Sequence, residues 1–212
     1  MKHVTPVVLL SLIALVTGCI WDPKTGGTPP PTKLAYLSPT SPENVIKNLE
    51  ALFINLDPVE YDSTLASDYV FRFAPGDITQ DQPDSLIRVE ELEFAENLFV
   101  YGAGENHPHA TQIKLVISIV SKGPDPRISH PGWMKYVVNT NFSVNFTVAN
   151  PLLVKGPAWL YFRQEPAGGG RWRLAEWADQ PVASVGGAPG RAFTHGVLDR
   201  TVTWGAARRG YR

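Results

Sequence analysis

Between Met134 and Val148 the chain alternates with a period of two. Met134, Tyr136, Val138, Phe142, Val144, Phe146 and Val148 fall on one side, and Lys135, Asn139, Asn141, Ser143, Asn145 and Thr147 on the other. A helix cannot keep such a series on one face, whereas successive side chains of a strand point to opposite faces. The segment is therefore a long strand with one apolar and one wet face, and at that length it must twist or bend to stay on a compact domain. The same period begins near Thr111, with Ile113, Leu115, Ile117 and Ile119 on one face. It returns in residues 152–164 and 171–179, which Pro166-Ala167-Gly168-Gly169-Gly170 joins as a permissive turn. The second half of the chain thus reads as an antiparallel meander.

Helical periodicity precedes it. Ser41-Pro42-Glu43 supplies a cap, a proline suited to the first helical position and an acid at the positive end of the dipole. Val45, Leu49, Leu52 and Leu56, widened by Ile46 and Phe53, then make one buried face. Asp57-Pro58-Val59-Glu60 repeats the start signal and predicts a short second helix to about Ala66. Asp68 opens a strand, Tyr69 to Phe73, with Tyr69, Phe71 and Phe73 on its core face. Ser85 is expected to cap a third helix, with Leu86, Val89, Leu92 and Phe99 along one side and Ile87, Phe94, Ala95 and Leu98 along another, ended by Gly102. Helices followed by a meander make an α+β domain with the helices on one face of the sheet.

The N-terminus carries an address. Lys2 and His3 precede the apolar run Val7 to Val16, and Val16-Thr17-Gly18-Cys19 ends it. A charged start, a short apolar core and small residues at its end describe a secretion signal, too short to span a bilayer permanently. Cys19 is the only cysteine, and its place after Thr17-Gly18 resembles the bacterial lipobox, in which cleavage leaves that cysteine as the acylated N-terminus. Several acyl chains, at about 0.8 kcal/mol per buried methylene, anchor a protein lastingly where one does not. Ile20 stands where an Asp would, by resemblance to lipoproteins of diderm bacteria, favour inner-membrane retention, so the expected place is the cell envelope, on the outer membrane if the host has one. The formal net charge is −1, one unit more negative once Lys2 is removed, so no basic excess points to nucleic acid.

Four segments follow: 1–18 as signal peptide, 19–37 as lipidated Cys19 with a tether rich in Pro and Gly, 38–181 as the α+β domain, and 182–212 as a Gly/Arg-rich extension. Most of the extension is expected to be mobile, with Thr201-Val202-Thr203-Trp204-Gly205 as the part able to dock, because an exposed tryptophan is a costly passenger.

The order of elements, together with Ser41-Pro42-Glu43-Asn44-Val45, Asp57-Pro58, Asp68-Tyr69-Val70-Phe71-Arg72-Phe73 and Gly170-Arg171-Trp172-Arg173-Leu174 with Trp177 and Asp179, resembles the nuclear transport factor 2-like (SnoaL-like) superfamily. That resemblance covers Ser38 to about Pro181. It implies a bent antiparallel sheet wrapped around about three N-terminal helices, a cone in which some members catalyse cyclisation, isomerisation or dehydration and others bind or assemble. The acid pair with a phenol, or the His with an Asp, of the enzymes cannot be laid residue by residue on this chain.

The cone residues expected from the sequence are Phe71, Phe73, Tyr136, Trp172 and Glu176, of which Glu176 is the one inward carboxylate if the last strand is regular and an outward one if it bulges. As acid–base candidates, Glu176, Asp68 and Tyr136 are set against the plainer readings of surface or paired carboxylates, a turn cap and a core tyrosine. His107-Pro108-His109 lacks a third ligand at fixed spacing, so no metal or other cofactor is expected. The function these residues point to is non-catalytic binding of a small apolar ligand or an envelope protein. An enzyme using pocket carboxylates is the alternative, and a homodimer pairing through Asn139, Asn141, Ser143 and Asn145 a third.

Overall fold

In a computed structural model of the chain, residues 32–78, 83–166, 169–181 and 201–212 are described. The signal segment, Cys19 and most of the tether lie outside them. Leu34 to Arg212 form one compact unit.

Helix α1, Pro42–Asn55, starts as its residues dictate: Ser41 accepts a hydrogen bond from the Asn44 amide, and Glu43 lies in the first turn. Its end is marked by Leu56, the one non-glycine residue with positive φ among the described residues. Helix α2, Pro58–Thr64, is capped by Asp57, whose carboxylate accepts from the Glu60 amide. Strand β1, Leu65–Arg72, begins earlier than the sequence suggested. Leu65 pairs with Leu174 and Ala66 is fully buried, so tertiary pairing claims residues that helical propensity would have kept in α2.

Residues expected to open the third helix make a strand instead. Strand β2, Ser85–Ile87, pairs antiparallel with β1, placing fully buried Leu86 opposite Phe71. Helix α3, Arg88–Glu96, starts after it, with the Glu90 carboxylate reaching back to the Ile87 amide. Ser85 is thus no cap, and Val89 faces solvent at 65% exposure. A π-helical turn, Asn97–Tyr101, follows and stops at Gly102, whose φ of 75° only glycine adopts without strain.

Strands β3 (Gln112–Pro124), β4 (Met134–Asn145), β5 (Leu152–Glu165) and β6 (Arg171–Asp179) form the antiparallel meander. The full order is β2-β1-β6-β5-β4-β3, and β1 runs parallel to β6, so the curved sheet is mixed. In β3 the buried alternation holds through Ile117, then a shift in register between Ile119 and Ser121 leaves Ile119 partly exposed. In β4 it holds from Tyr136 to Val144, and Val148 lies beyond the strand, exposed. The helices pack on the concave side. Phe53 of α1 meets Phe142, Tyr61 and Phe99 edge-on at 5.4, 5.5 and 5.2 Å. Leu49, Leu52, Phe71 and Val138 are fully buried around it, with Trp172 at the margin.

The C-terminal residues belong to the same unit. Strand β7, Thr201–Val202, pairs parallel with Leu153 and Val154 of β5, and helix α4, Trp204–Gly210, follows it into the concavity. The part that docks is longer than the expected Thr201–Gly205 and takes in residues 206–211, because Trp204, Ala207, Arg208 and Tyr211 fall on one helical face and all are buried. At the other end, the amides of Leu34 and Leu37 donate to the side chains of Asn55 and Asn48, so the last residues of the expected tether are fastened to α1.

Candidate functional site

The heart of the cone is occupied by the chain's own tail. Trp204 lies against Phe142 (4.6 Å between ring centroids) and Trp177 (4.9 Å) and donates its indole N–H to Thr140 Oγ1 at 2.7 Å. Gly205 has no room for a side chain, since a Cβ there would stand 2.7 Å from a Phe73 ring carbon and 2.8 Å from Asp77 Oδ2. Its amide donates to Asp179 Oδ2 at 3.3 Å.

One turn further in, Arg208 is fully enclosed. Its guanidinium grips Glu91 in a fork, Nε to Oε2 at 2.8 Å and Nη2 to Oε1 at 2.7 Å, and Glu91 Oε1 also accepts from the Tyr61 hydroxyl at 2.5 Å. Aromatic rings surround the cation: Phe71 at 3.8 Å, Phe94 and Trp204 at 5.0 Å, Trp177 at 5.2 Å. Burial works against the charge on Arg208, but the Glu91 carboxylate outweighs it and holds the guanidinium above its ordinary pKa. Burial and the neighbouring Glu91 push the Tyr61 and Tyr69 phenols up. The Tyr69 hydroxyl faces the Arg208 guanidinium, and the Trp177 indole N–H is buried without a hydrogen-bond partner. Asp179, near the tail's entry, is raised to about 6 by burial.

At the rim the tail forms one wall of an open cleft of about 640 Å³, with the 106–108 loop and the β4–β5 turn as the others. Phe146 stacks parallel to Tyr211 at 6.3 Å and His107 meets the same ring at 5.4 Å, and the lining divides evenly between apolar surface from Pro151, Leu152 and Ala207 and polar surface that includes Asn106 and Asn150.

The residues chosen from the sequence divide between two sides of the sheet. Phe71 and Phe73 face the concavity, against Arg208 and Arg209 respectively, and Trp172 is half-buried at its margin. Glu176 does not face the cone. Pairing across β5 skips Ala175, a bulge that lets both Leu174 and Trp177 reach the core and turns Glu176 to the outer face. There it accepts from Arg127 Nη1 at 2.9 and 3.1 Å and from Arg72 Nε at 3.2 Å. Arg127 also grips Asp125 and covers the Tyr161 ring at 3.9 Å, pinning the loop after β3 to the outside of the sheet. Asp68 is exposed and paired with Arg163. Tyr136 has its ring in the core and its hydroxyl on Glu43 at 2.7 Å, so it does not converge with Glu176. Hydrogen bonds from Lys122 and Tyr136 lower Glu43 to about 2.

Sequence reasoning missed Glu91, Tyr61 and Arg208. A signal was present for each of the charges: Glu91 lies four residues after Ile87 and three before Phe94 on the stripe assigned to the core, and Arg208 lies four after Trp204. Thr140, the gap in the apolar series of β4, is the slot that receives Trp204. Among the described residues no group of three metal-ligating side chains converges.

A curved sheet folded over helices is a cone of the kind that the resemblance to the nuclear transport factor 2-like superfamily implied. A conserved protein from Planctomyces limnophilus DSM 3776 superposes with a TM-score of 0.50 at 14% identity, over 65% of this chain and 91% of that one. A ketosteroid isomerase-like protein from Erwinia carotovora atroseptica SCRI1043 gives 0.43 at 15% identity, over 65% and 91%. ActVI-ORFA from Streptomyces coelicolor gives 0.46 at 11%, over 65% and 91%. At such identities the likeness concerns the fold. No family model matches the chain, and no curated protein matches its sequence.

Proposed function

We propose that this is an exported, lipid-anchored, non-catalytic module that binds a small apolar ligand in the cleft at the mouth of its cone. The observation that carries the reading is that the tail closes both buried carboxylates of the concavity, Glu91 with the Arg208 fork and Asp179 with the Gly205 amide, while Glu176 and Asp68 are paired with arginines on the outer face of the sheet. Acid–base catalysis needs a shielded group free to exchange a proton with a substrate atom, and a second polar group within reach of that atom. The cleft has the size of a small-molecule site and an aromatic wall.

Its test uses the neutral fluorophore N-phenyl-1-naphthylamine. The wild-type chain should raise the probe's fluorescence, and Val148→Trp and Leu152→Trp, which fill the cleft from its rim, should abolish that rise. Equal probe binding by all three proteins sinks the cleft reading. Anchoring rests on Cys19, which lies outside the described residues, and mass spectrometry of the mature N-terminus in the native host decides it. An unmodified chain starting elsewhere overturns the anchor.

A further inference from the structure

The C-terminal segment is held the way a peptide is held by a receptor. Strand β7 adds to β5 in the lane beyond the last residue of β6 that pairs there: Asp179 pairs with Ala158, Thr201 with Leu153. Helix α4 then lays Trp204, Ala207, Arg208 and Tyr211 into the concavity at positions i, i+3, i+4 and i+7. Strand addition and a helix anchored at that spacing are the two commonest ways of reading a peptide, and Trp and Arg are its usual anchors. A helix of seven residues does not hold its shape alone in water, so it takes its form from the surface that receives it.

Apart from Trp204, which travels with the tail, the surface around Arg208 comes from the body of the domain. Glu91 comes from α3, Tyr61 from α2, Tyr69 and Phe71 from β1, Phe94 from α3 and Trp177 from β6. Together they make a cage with one carboxylate and several ring faces, a set that selects a planar guanidinium over an ammonium. Stability alone does not call for it, since a buried ion pair is often no better than apolar side chains of the same volume.

Covalent connection does not force the occupant to come from the same molecule. The two points on β5 where β6 ends and β7 begins are five residues, or roughly 17 Å, apart. The chain between Asp179 and Thr201 can reach roughly 70 Å when extended.

We infer that the cone is a receptor for an arginine-bearing segment, and that its occupant in trans is Thr201–Arg212 of a second copy of this chain. In a lone molecule the cis tail has the advantage of a high effective concentration, so exchange requires crowding or a loosened tail. This goes beyond the cleft reading and fails independently of it, because the naphthylamine probe reads the rim and the experiment below reads the cage.

The experiment uses full-length chain and a fluorescein-labelled peptide of residues 201–212, followed by fluorescence anisotropy. Two variants loosen the cis tail in different ways: Gly205→Ala wedges it against Phe73 and Asp77 and leaves the cage untouched, and Arg208→Ala empties the cage. Both should bind the peptide at least tenfold more tightly than wild type. The peptide carrying Arg208→Ala should lose that gain, and Glu91→Gln added to either variant should abolish the preference between the two peptides. Folded variants, by circular dichroism, that capture the peptide no better than wild type overturn the inference. Loss of the folded state in both variants overturns it as well, because the tail is then a fixed part of the core.

Discussion

Trp204 donates its indole N–H to the hydroxyl of Thr140, which in turn donates to the Gly156 carbonyl at 2.9 Å. A threonine stands on the apolar face of β4 because the tail needs an acceptor there, and the hydroxyl passes the bond on to the backbone of β5. Replacing it by the isosteric Val leaves a buried N–H without a partner, at about 1–3 kcal/mol. Thr140→Ser keeps the acceptor and should stay closer to wild type. Urea denaturation of the two variants checks the order, and equal losses would show that packing, not the hydrogen bond, holds Trp204.

The Glu91–Arg208 pair should behave as a unit. Breaking it by Arg208→Met or Glu91→Leu alone strands a buried charge and should cost about 3–5 kcal/mol each, whereas the double variant should cost much less than the sum. A double-mutant cycle by chemical denaturation measures the coupling. Additive losses would mean that the fork contributes nothing of its own.

Asp179 makes stability depend on pH in an unusual direction for a carboxylate. Its folded value, about 6, lies above the ordinary 3.8, so the folded state binds a proton that the unfolded chain releases. Its contribution is fully present below about pH 4 and is lost as pH rises through about 6. Going from pH 7 to pH 5 should therefore add about 1 kcal/mol to stability, and Asp179→Asn should flatten that segment of the profile. Arg208, Asp77 and the amides of Gly205 and Gln180 face the same carboxylate. A profile of unchanged slope in the Asn variant excludes Asp179 as its source.

The two faces of β4 should respond differently to truncation. Phe142 is fully buried against Phe53 and Trp204, and Phe142→Ala should cost about 3–5 kcal/mol; Asn141 is exposed, and Asn141→Ala should cost less than about 0.5 kcal/mol. Melting curves suffice to compare them.

What the sequence disclosed and what it hid follow one physical division. Ser41, Asp57 and the alternation of β4 act through neighbours in the chain, and their elements stand where those residues put them. Ser85–Ile87 and Leu65 obey partners on β1 and β6, which lie far away in sequence, so local signals misplace them. Glu176 shows the same effect at a site: its side of the sheet hangs on one extra residue, Ala175, that pairing alone reveals. The cage escaped because its charges come from α3 and from the tail, and each looks like a surface residue until the other is placed beside it. The parallel β1–β6 pairing is likewise set by long-range contacts that no period discloses.

Because Ala206, Ala207, Gly210 and Tyr211 wall the rim cleft, anything seated there touches body and tail at once. Such a molecule acts as a stitch: it must favour the docked tail by the same free energy with which docking favours it, whatever the molecule's identity. The converse is equally fixed. An event that draws the tail out and leaves the cone empty dismantles the cleft, so the rim site exists only while one copy's C-terminal segment, its own or another's, is seated.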